Sequence, residues 1–227
     1  MDFSIKILKV FYIGGAEVWI TETTRNTWII MGILIILAII ARIKMRKVGD
    51  VPSGIQNAFE LAVEAYDKFL LESAGEKLMY LGYWYFTVFA FVFVSNISGL
   101  LFMRPPTADW TVTFPLAFVT FSLIQGLGAR YRKGKFVKNL FEPNIIFFPL
   151  NVIGELARPI SLSFRLFGNI LAGMILMSLL YAMPPMFIRV AIPIPLHMFF
   201  DLFAGVLQTY IFSILSLSFI GISAATD

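Results

Sequence analysis

The chain has 227 residues, 59% of them hydrophobic and only 14% charged, with a mean hydropathy of +0.82. A soluble domain is about half apolar and a quarter charged, so the composition excludes an ordinary soluble enzyme and points to one integral membrane domain over 1–227. The net charge of +4 arises from eighteen Lys and Arg gathered in short clusters beside apolar runs, where they act as orientation signals; nucleic acid is not expected as a partner. With no cysteine and a single histidine, disulfides, thiolate metal centres and a His-cluster zinc site are excluded.

The first span is expected at 27–42, around "TWIIMGILIILAIIA". It lies too deep and lacks a small-residue cleavage signature after it, so it is read as a retained anchor and not a signal peptide. The cations Arg42, Lys44, Arg46 and Lys47 follow and mark that side as cytoplasmic. Residues 54–76 place Ile55, Phe59, Val63, Tyr66 and Leu70 at helical spacing among Glu60, Glu64, Asp67 and Lys68, an amphipathic helix for the membrane surface or a partner. A second span at 79–102 opens with Tyr and Trp anchors, and "MRPPTADW" breaks it into an outer loop. The third span, 111–129, ends in Arg130, Arg132, Lys133, Lys135 and Lys138. Both basic clusters fall on one side if each run crosses once. That puts the N-terminus outside and the C-terminus in the cytoplasm.

Two runs at 142–182 and 186–223 each approach 40 residues. Wholly helical, such a run extends about 60 Å against a hydrocarbon core of about 30 Å. They stay apolar almost throughout, so they either bend at their prolines or lie strongly tilted. "YAMPPMF" is read as the turn joining them into a hairpin. The fold class is therefore all-α, with five spans and one interfacial helix.

On the first arm Glu155, Arg158, Leu162, Arg165 and Asn169 follow at intervals of 3, 4, 3 and 4, one helical face. Ser161, Gly168, Ala172 and Gly173 beside it make a small surface on which another helix can approach. On the second arm His197, Asp201, Gly205 and Gln208 also share a face, at intervals of 4, 4 and 3. Two polar stripes can line a path for water or ions, but each residue has a plainer reading. Ser161, Ser213, Ser216 and Asn151 can bond neighbouring helices. Arg158 can snorkel to the cytoplasmic rim or pair with Glu155 one turn away. His197 follows "PIP" at the outer boundary.

Arg165 differs, because it lies deep and has no acid within a turn on its own helix. A buried membrane arginine costs at least about 2.5–3.5 kcal/mol and cannot shed its proton. A carboxylate must meet it, either Asp201 or one from a partner chain.

These residues resemble the a subunit of the membrane sector of F-type ATP synthases. "ELARPISLSFRLFGNILAG" is similar to its arginine-bearing helix and "DLFAGVLQTYIFSILSLSFI" to its last helix; "VPSGIQNAFELAVE" and "VFVSNISGLLF" match earlier landmarks. The resemblance implies a non-catalytic stator that holds a tilted hairpin against a rotating c ring. Two half-channels would carry H+ or Na+ to and from ring carboxylates, with no cofactor. Other implied partners are the b-subunit peripheral stalk, the whole synthase and membrane lipid. By the same resemblance Arg165 is the arginine that releases the ion and blocks a leak, Asn169 and Gln208 its polar companions, and Asp201 a group of the outer half-channel. Glu155 and Arg158 fall toward the cytoplasmic outlet, and Asn96 contributes on the outer side. Met174 stands where many bacterial members carry Glu, which removes one ionisable group from the outer path and leaves Na+ open. The rival readings are a secondary transporter, which usually shows repeated halves not found here, and a scaffold subunit of another membrane complex.

Overall fold

The computed structural model describes residues 6–45, 54–101, 103–182 and 192–225. It begins with two strands for which the sequence reading drew no element. β1 (Ile7–Ile13) and β2 (Ala16–Thr21) pair antiparallel. The turn between them uses Gly14 and Gly15 at φ 60° and 87°, the positive values that a two-residue hairpin turn demands and that a Cβ resists. β2 runs directly into α1 (Glu22–Lys44). Thr21 Oγ1 accepts the Thr24 backbone N–H at 3.2 Å, a helix cap worth about 1 kcal/mol. The Glu22 N–H also donates to the Lys6 carbonyl at 2.9 Å. The all-α description thus holds for the membrane-crossing part, with a hairpin added ahead of it.

α2 (Ile55–Ala74) is the expected amphipathic helix, closed by Gly75 at φ 83°. Only the Leu70 end of its apolar stripe is covered within the chain, where Leu70 is buried with Leu78, Tyr85, Ile124 and Leu217; Phe59 and Val63 are exposed. Tyr66 packs edge-on to Phe86 at 5.0 Å between ring centroids, and burial pushes its phenol above the ordinary tyrosine range.

A 3-10 turn at Glu76–Leu81 leads into α3 (Gly82–Ile97), and α4 (Trp110–Arg132) follows. A short helix missed in the basic stretch, α5 (Gly134–Phe141), lays Phe136 against Gly128 so closely that a Cβ there would come within 2.5 Å of the ring. α6 (Phe148–Ala182) has 35 residues, which at 1.5 Å per residue is about 52 Å. It passes through Pro159 without interruption, although that proline removes the N–H that would otherwise bond the Glu155 carbonyl.

α7 (Pro193–Ala224) starts on prolines, widens into π-helical turns at Met198–Ala204 and resumes as α-helix at Gly205. Among the described residues five helices are long and apolar enough to cross a membrane. They correspond to the five expected spans, with ends shifted by a few residues. Arg46, Lys47 and most of the expected "YAMPPMF" turn lie outside the described residues.

The described residues group into two compact units. One takes them from Met1–Ile43, Phe89–Val112 and Leu166–Thr209, the other from Lys44–Val88, Thr113–Arg165 and Tyr210–Asp227.

Candidate functional site

The unit that includes Thr113–Arg165 holds Glu155, Arg158 and Arg165. Helical spacing puts Glu155 one turn before Arg158, and Arg158 Nη1 donates to its two oxygens at 2.9 and 3.0 Å. Gln125 Nε2, from α4, donates to the same carboxylate at 3.1 Å. The Arg158 guanidinium also lies 5.3 Å from the Phe219 ring centroid, a cation–π distance. This network opens on a cavity of about 360 Å3 lined by Arg132, Asn151, Glu155, Arg158 and Ser223.

Arg132 donates to the Ile222 and Ala225 carbonyls at 2.7 and 2.9 Å. It thereby places a cation on the negative end of α7. Asn151 Nδ2 donates to the carbonyls of Leu140, in α5, and of Glu142, both at 3.0 Å, whereas Ser216 Oγ donates to the Ser213 carbonyl of its own helix at 3.0 Å.

Arg165 borders a second cavity of about 250 Å3 together with Arg158 and Ser161. It is exposed. Among the described residues it makes no ion pair, unlike Arg25 with Glu22, Lys138 with Glu142 and Arg158 with Glu155. A permanent charge midway along a long apolar helix, open at the surface of the chain, has its counter-charge outside these pairs.

The other unit gathers Asn96, Asn169, His197, Asp201 and Gln208. A cavity of about 330 Å3 is lined by Asn169, Met174, Tyr181, His197 and Asp201, with Lys6, Glu22 and Arg104 also reaching it. His197 Nδ1 bonds Asp201 Oδ2 at 2.5 Å, and Tyr181 Oη lies 3.0 Å from His197 Nε2. Both ring nitrogens are thus engaged, and the tautomer with the proton on Nδ1 would donate to the carboxylate and accept from the Tyr181 hydroxyl at Nε2. Gly99 permits this arrangement: a Cβ there would lie 2.8 Å from Asp201 Cγ. The π-helical turns that carry Asp201 belong to a class of bulge frequent at functional sites.

Asn96 is buried with all its amide atoms engaged. Nδ2 donates to Gly205 O at 3.1 Å and Thr209 Oγ1 at 3.0 Å, and Oδ1 accepts from Thr107 Oγ1 at 2.8 Å. Gln208 is 4% exposed and its Nε2 has no partner among the described residues. Asn169 is exposed. The expected small surface divides. A Cβ on Gly173 would come 3.2 Å from Phe200, so α7 packs there, whereas Gly168 faces open space.

Sequence reasoning passed over Gln125, Tyr181 and Gly99, and gave Arg132 an orientation role without its bonds to the end of α7. Gln125 had a usable signal, a lone amide within an apolar span. Tyr181 had none, since a tyrosine at a span end reads as an interfacial anchor.

Residues 25–221 match the model of the family described as ATP synthase A chain. Among curated relatives, "ATP synthase subunit a, sodium ion specific" of Propionigenium modestum is 36% identical, over 88% of this chain and 73% of that protein. ATP synthase subunit a of Moorella thermoacetica is 32% identical over 95% of each chain. That of Acidothermus cellulolyticus is 34% identical, over 89% of this chain and 77% of that protein.

Proposed function

This chain belongs to the ATP synthase A chain family, as a multi-pass, non-catalytic, ion-translocating subunit of the synthase membrane sector, and on that premise we propose how its residues work. It acts as one integral unit of the stator, with α6 and α7 presented to a rotating c ring and the b-subunit stalk holding it in place. Asp201 and His197 line the outer half-channel, with Asn169 and Gln208 beside the ring path. Glu155 and Arg158 line the cytoplasmic outlet. Asn96 is a positioning residue, since its bonds hold Gly205 and Thr209 of α7. The N-terminus faces outside and the C-terminus the cytoplasm.

The observation that carries the reading is Arg165. It is exposed mid-span and lacks an ion pair among the described residues, and lipid cannot supply a compensating charge at that depth except at several kcal/mol. A carboxylate of the partner ring supplies it. The guanidinium then stabilises the ionised carboxylate, so the ion leaves there and reloading must happen elsewhere.

The transported ion is H+ or Na+. The hydrogen-bonded His197–Asp201 pair suits proton exchange, whereas Met174 and the sodium-specific relative favour Na+. ATP synthesis under a pH gradient with and without Na+ separates the two.

Membrane vesicles with equal amounts of assembled complex test the role of Arg165. Arg165→Ala is expected to abolish ATP synthesis under an imposed ion gradient and to raise passive flux through the membrane sector. Arg165→Lys is expected to fail as well, because lysine loses the planar fork and can deprotonate when desolvated. Normal synthesis by the assembled Arg165→Ala complex would refute the role, and loss of assembly without loss of specific activity would make Arg165 structural.

A further inference from the structure

The hairpin of β1 and β2 carries none of the residues given a role in the ion path. Its large apolar side chains are open on both faces: Val10 and Trp19 pair across one face, Phe11 and Val18 across the other, and all four are at least 40% exposed. Tyr12 is 73% exposed. In water a lone two-stranded hairpin is marginally stable, and an uncovered apolar strand edge recruits other strands. Something therefore covers it.

Continuity identifies the cover. β2 passes into α1 with no linker, and Thr21 caps the helix that follows. α1 buries only 11% of its apolar window within the chain and exposes Trp28, Ile29, Ile33, Ile36 and Ile40, so its sides face lipid. The hairpin thus starts at the level where α1 leaves the hydrocarbon.

Its side chains fit that layer. Tyr12 and Trp19 combine an apolar ring with a polar handle, the pattern of membrane-interface aromatics. Trp19 Nε1 donates to Glu17 Oε2 at 3.2 Å, and Lys9 lies 5.6 Å over the Phe11 ring with its ammonium free to turn to lipid phosphates.

We propose that the β1–β2 hairpin is an interfacial lipid anchor, lying in the headgroup layer at the Glu22 end of α1 with the Val10, Tyr12 and Trp19 face toward the acyl chains. The anchor fixes the depth of α1 and holds Lys6 and Glu22, which border the cavity shared by His197 and Asp201.

The chain has no cysteine, so single nitroxide labels can be placed at Trp19→Cys, at Tyr12→Cys on the same face and at Val18→Cys on the other. The assembled synthase would be reconstituted in phosphatidylcholine and phosphatidylglycerol vesicles, with the other subunits free of reactive cysteine. Electron paramagnetic resonance power saturation then compares dissolved oxygen with a water-soluble nickel chelate as relaxants. Labels at 19 and 12 are expected to favour oxygen at least threefold over the label at 18 and to report headgroup depth. Two same-face positions guard against a local disturbance by either substitution. Free access of the chelate to all three would place the hairpin in water and overturn the proposal. Exclusion of both relaxants would also overturn it, by showing that another protein subunit is the cover.

Discussion

At the scale of single residues, the contrast between Arg165 and Arg158 shows how one helix face assigns different work to the same side chain. Arg158 is neutralised within the chain by a two-oxygen contact with Glu155, itself held by Gln125. Arg165, two turns on, has no such pair among the described residues, which is why a partner's carboxylate is proposed for it. Asp201 follows the logic of Arg158, with His197 as its intrachain neighbour and Tyr181 fixing the ring from the far nitrogen. If Tyr181 acts only through His197, removing its hydroxyl matters only while His197 is present. Tyr181→Phe deletes one hydrogen bond, worth about 1 kcal/mol or roughly a fivefold change. We expect ATP synthesis to fall about two- to fivefold with the complex fully assembled. In a His197→Gln background the same substitution is expected to change nothing further, as a double-mutant cycle reads directly. Equal effects in both backgrounds would show that the Tyr181 hydroxyl acts independently of His197. Arg165 was legible in the sequence because a charge in an apolar run is costly and therefore conspicuous. The Tyr181 contact was not, because it depends on how Pro193–His197 of α7 meets the end of α6.

At the scale of elements, hydropathy located all five spans, since about 20 apolar residues are needed to cross and few other segments reach that length. Their ends were less legible, because caps and 3-10 turns such as Glu76–Leu81 depend on local bonds that hydropathy does not encode. The hairpin was missed because "ILKVFYI" is apolar on both faces and lacks the alternation of a half-buried strand; the Gly-Gly pair between two β-rich runs was the available signal. α2 was read as amphipathic, and the Tyr66–Ala74 part of its apolar face packs on the chain itself, while Phe59 and Val63 stay exposed. Gly221 of α7 lies against it so closely that a Cβ would stand 3.1 Å from Ala74 Cα and 3.2 Å from the Ser73 and Ala74 carbonyl oxygens. Backbone atoms cannot rotate aside. Gly221→Leu is therefore expected to destabilise this packing by about 1–3 kcal/mol, the usual cost of overpacking. The measurement is protease sensitivity of α2 in the assembled complex. Unchanged cleavage rates in the Leu variant would show that α2 is held by its lipid contacts instead.

At the scale of the whole molecule, the proposed five crossings would put the two termini on opposite sides, and the charge pattern is the basis for saying which is which. Arg42 and Lys44 close α1, while Arg130, Arg132, Lys133, Lys135 and Lys138 close α4 and enter α5. In the proposed topology two spans separate these clusters, which would put them on one side, and the excess of Lys and Arg would make that side the cytoplasm. The hairpin, at the other end of α1, would then face outside. A labelling test needs positions that are open to reagent. Thr107, in the outer loop, is unsuitable because it is fully buried and donates to Asn96. Lys9 in β1, on the hairpin face turned away from the acyl chains, and Lys135 in α5 are both exposed. With no native cysteine in the chain, Lys9→Cys is expected to react with an impermeant maleimide in right-side-out vesicles, and Lys135→Cys only in inverted ones. Because a single inverted crossing would bring both labels to one face, reaction of both in the same vesicle orientation would sink the five-crossing topology and, with it, the assignment of outer and cytoplasmic ion paths.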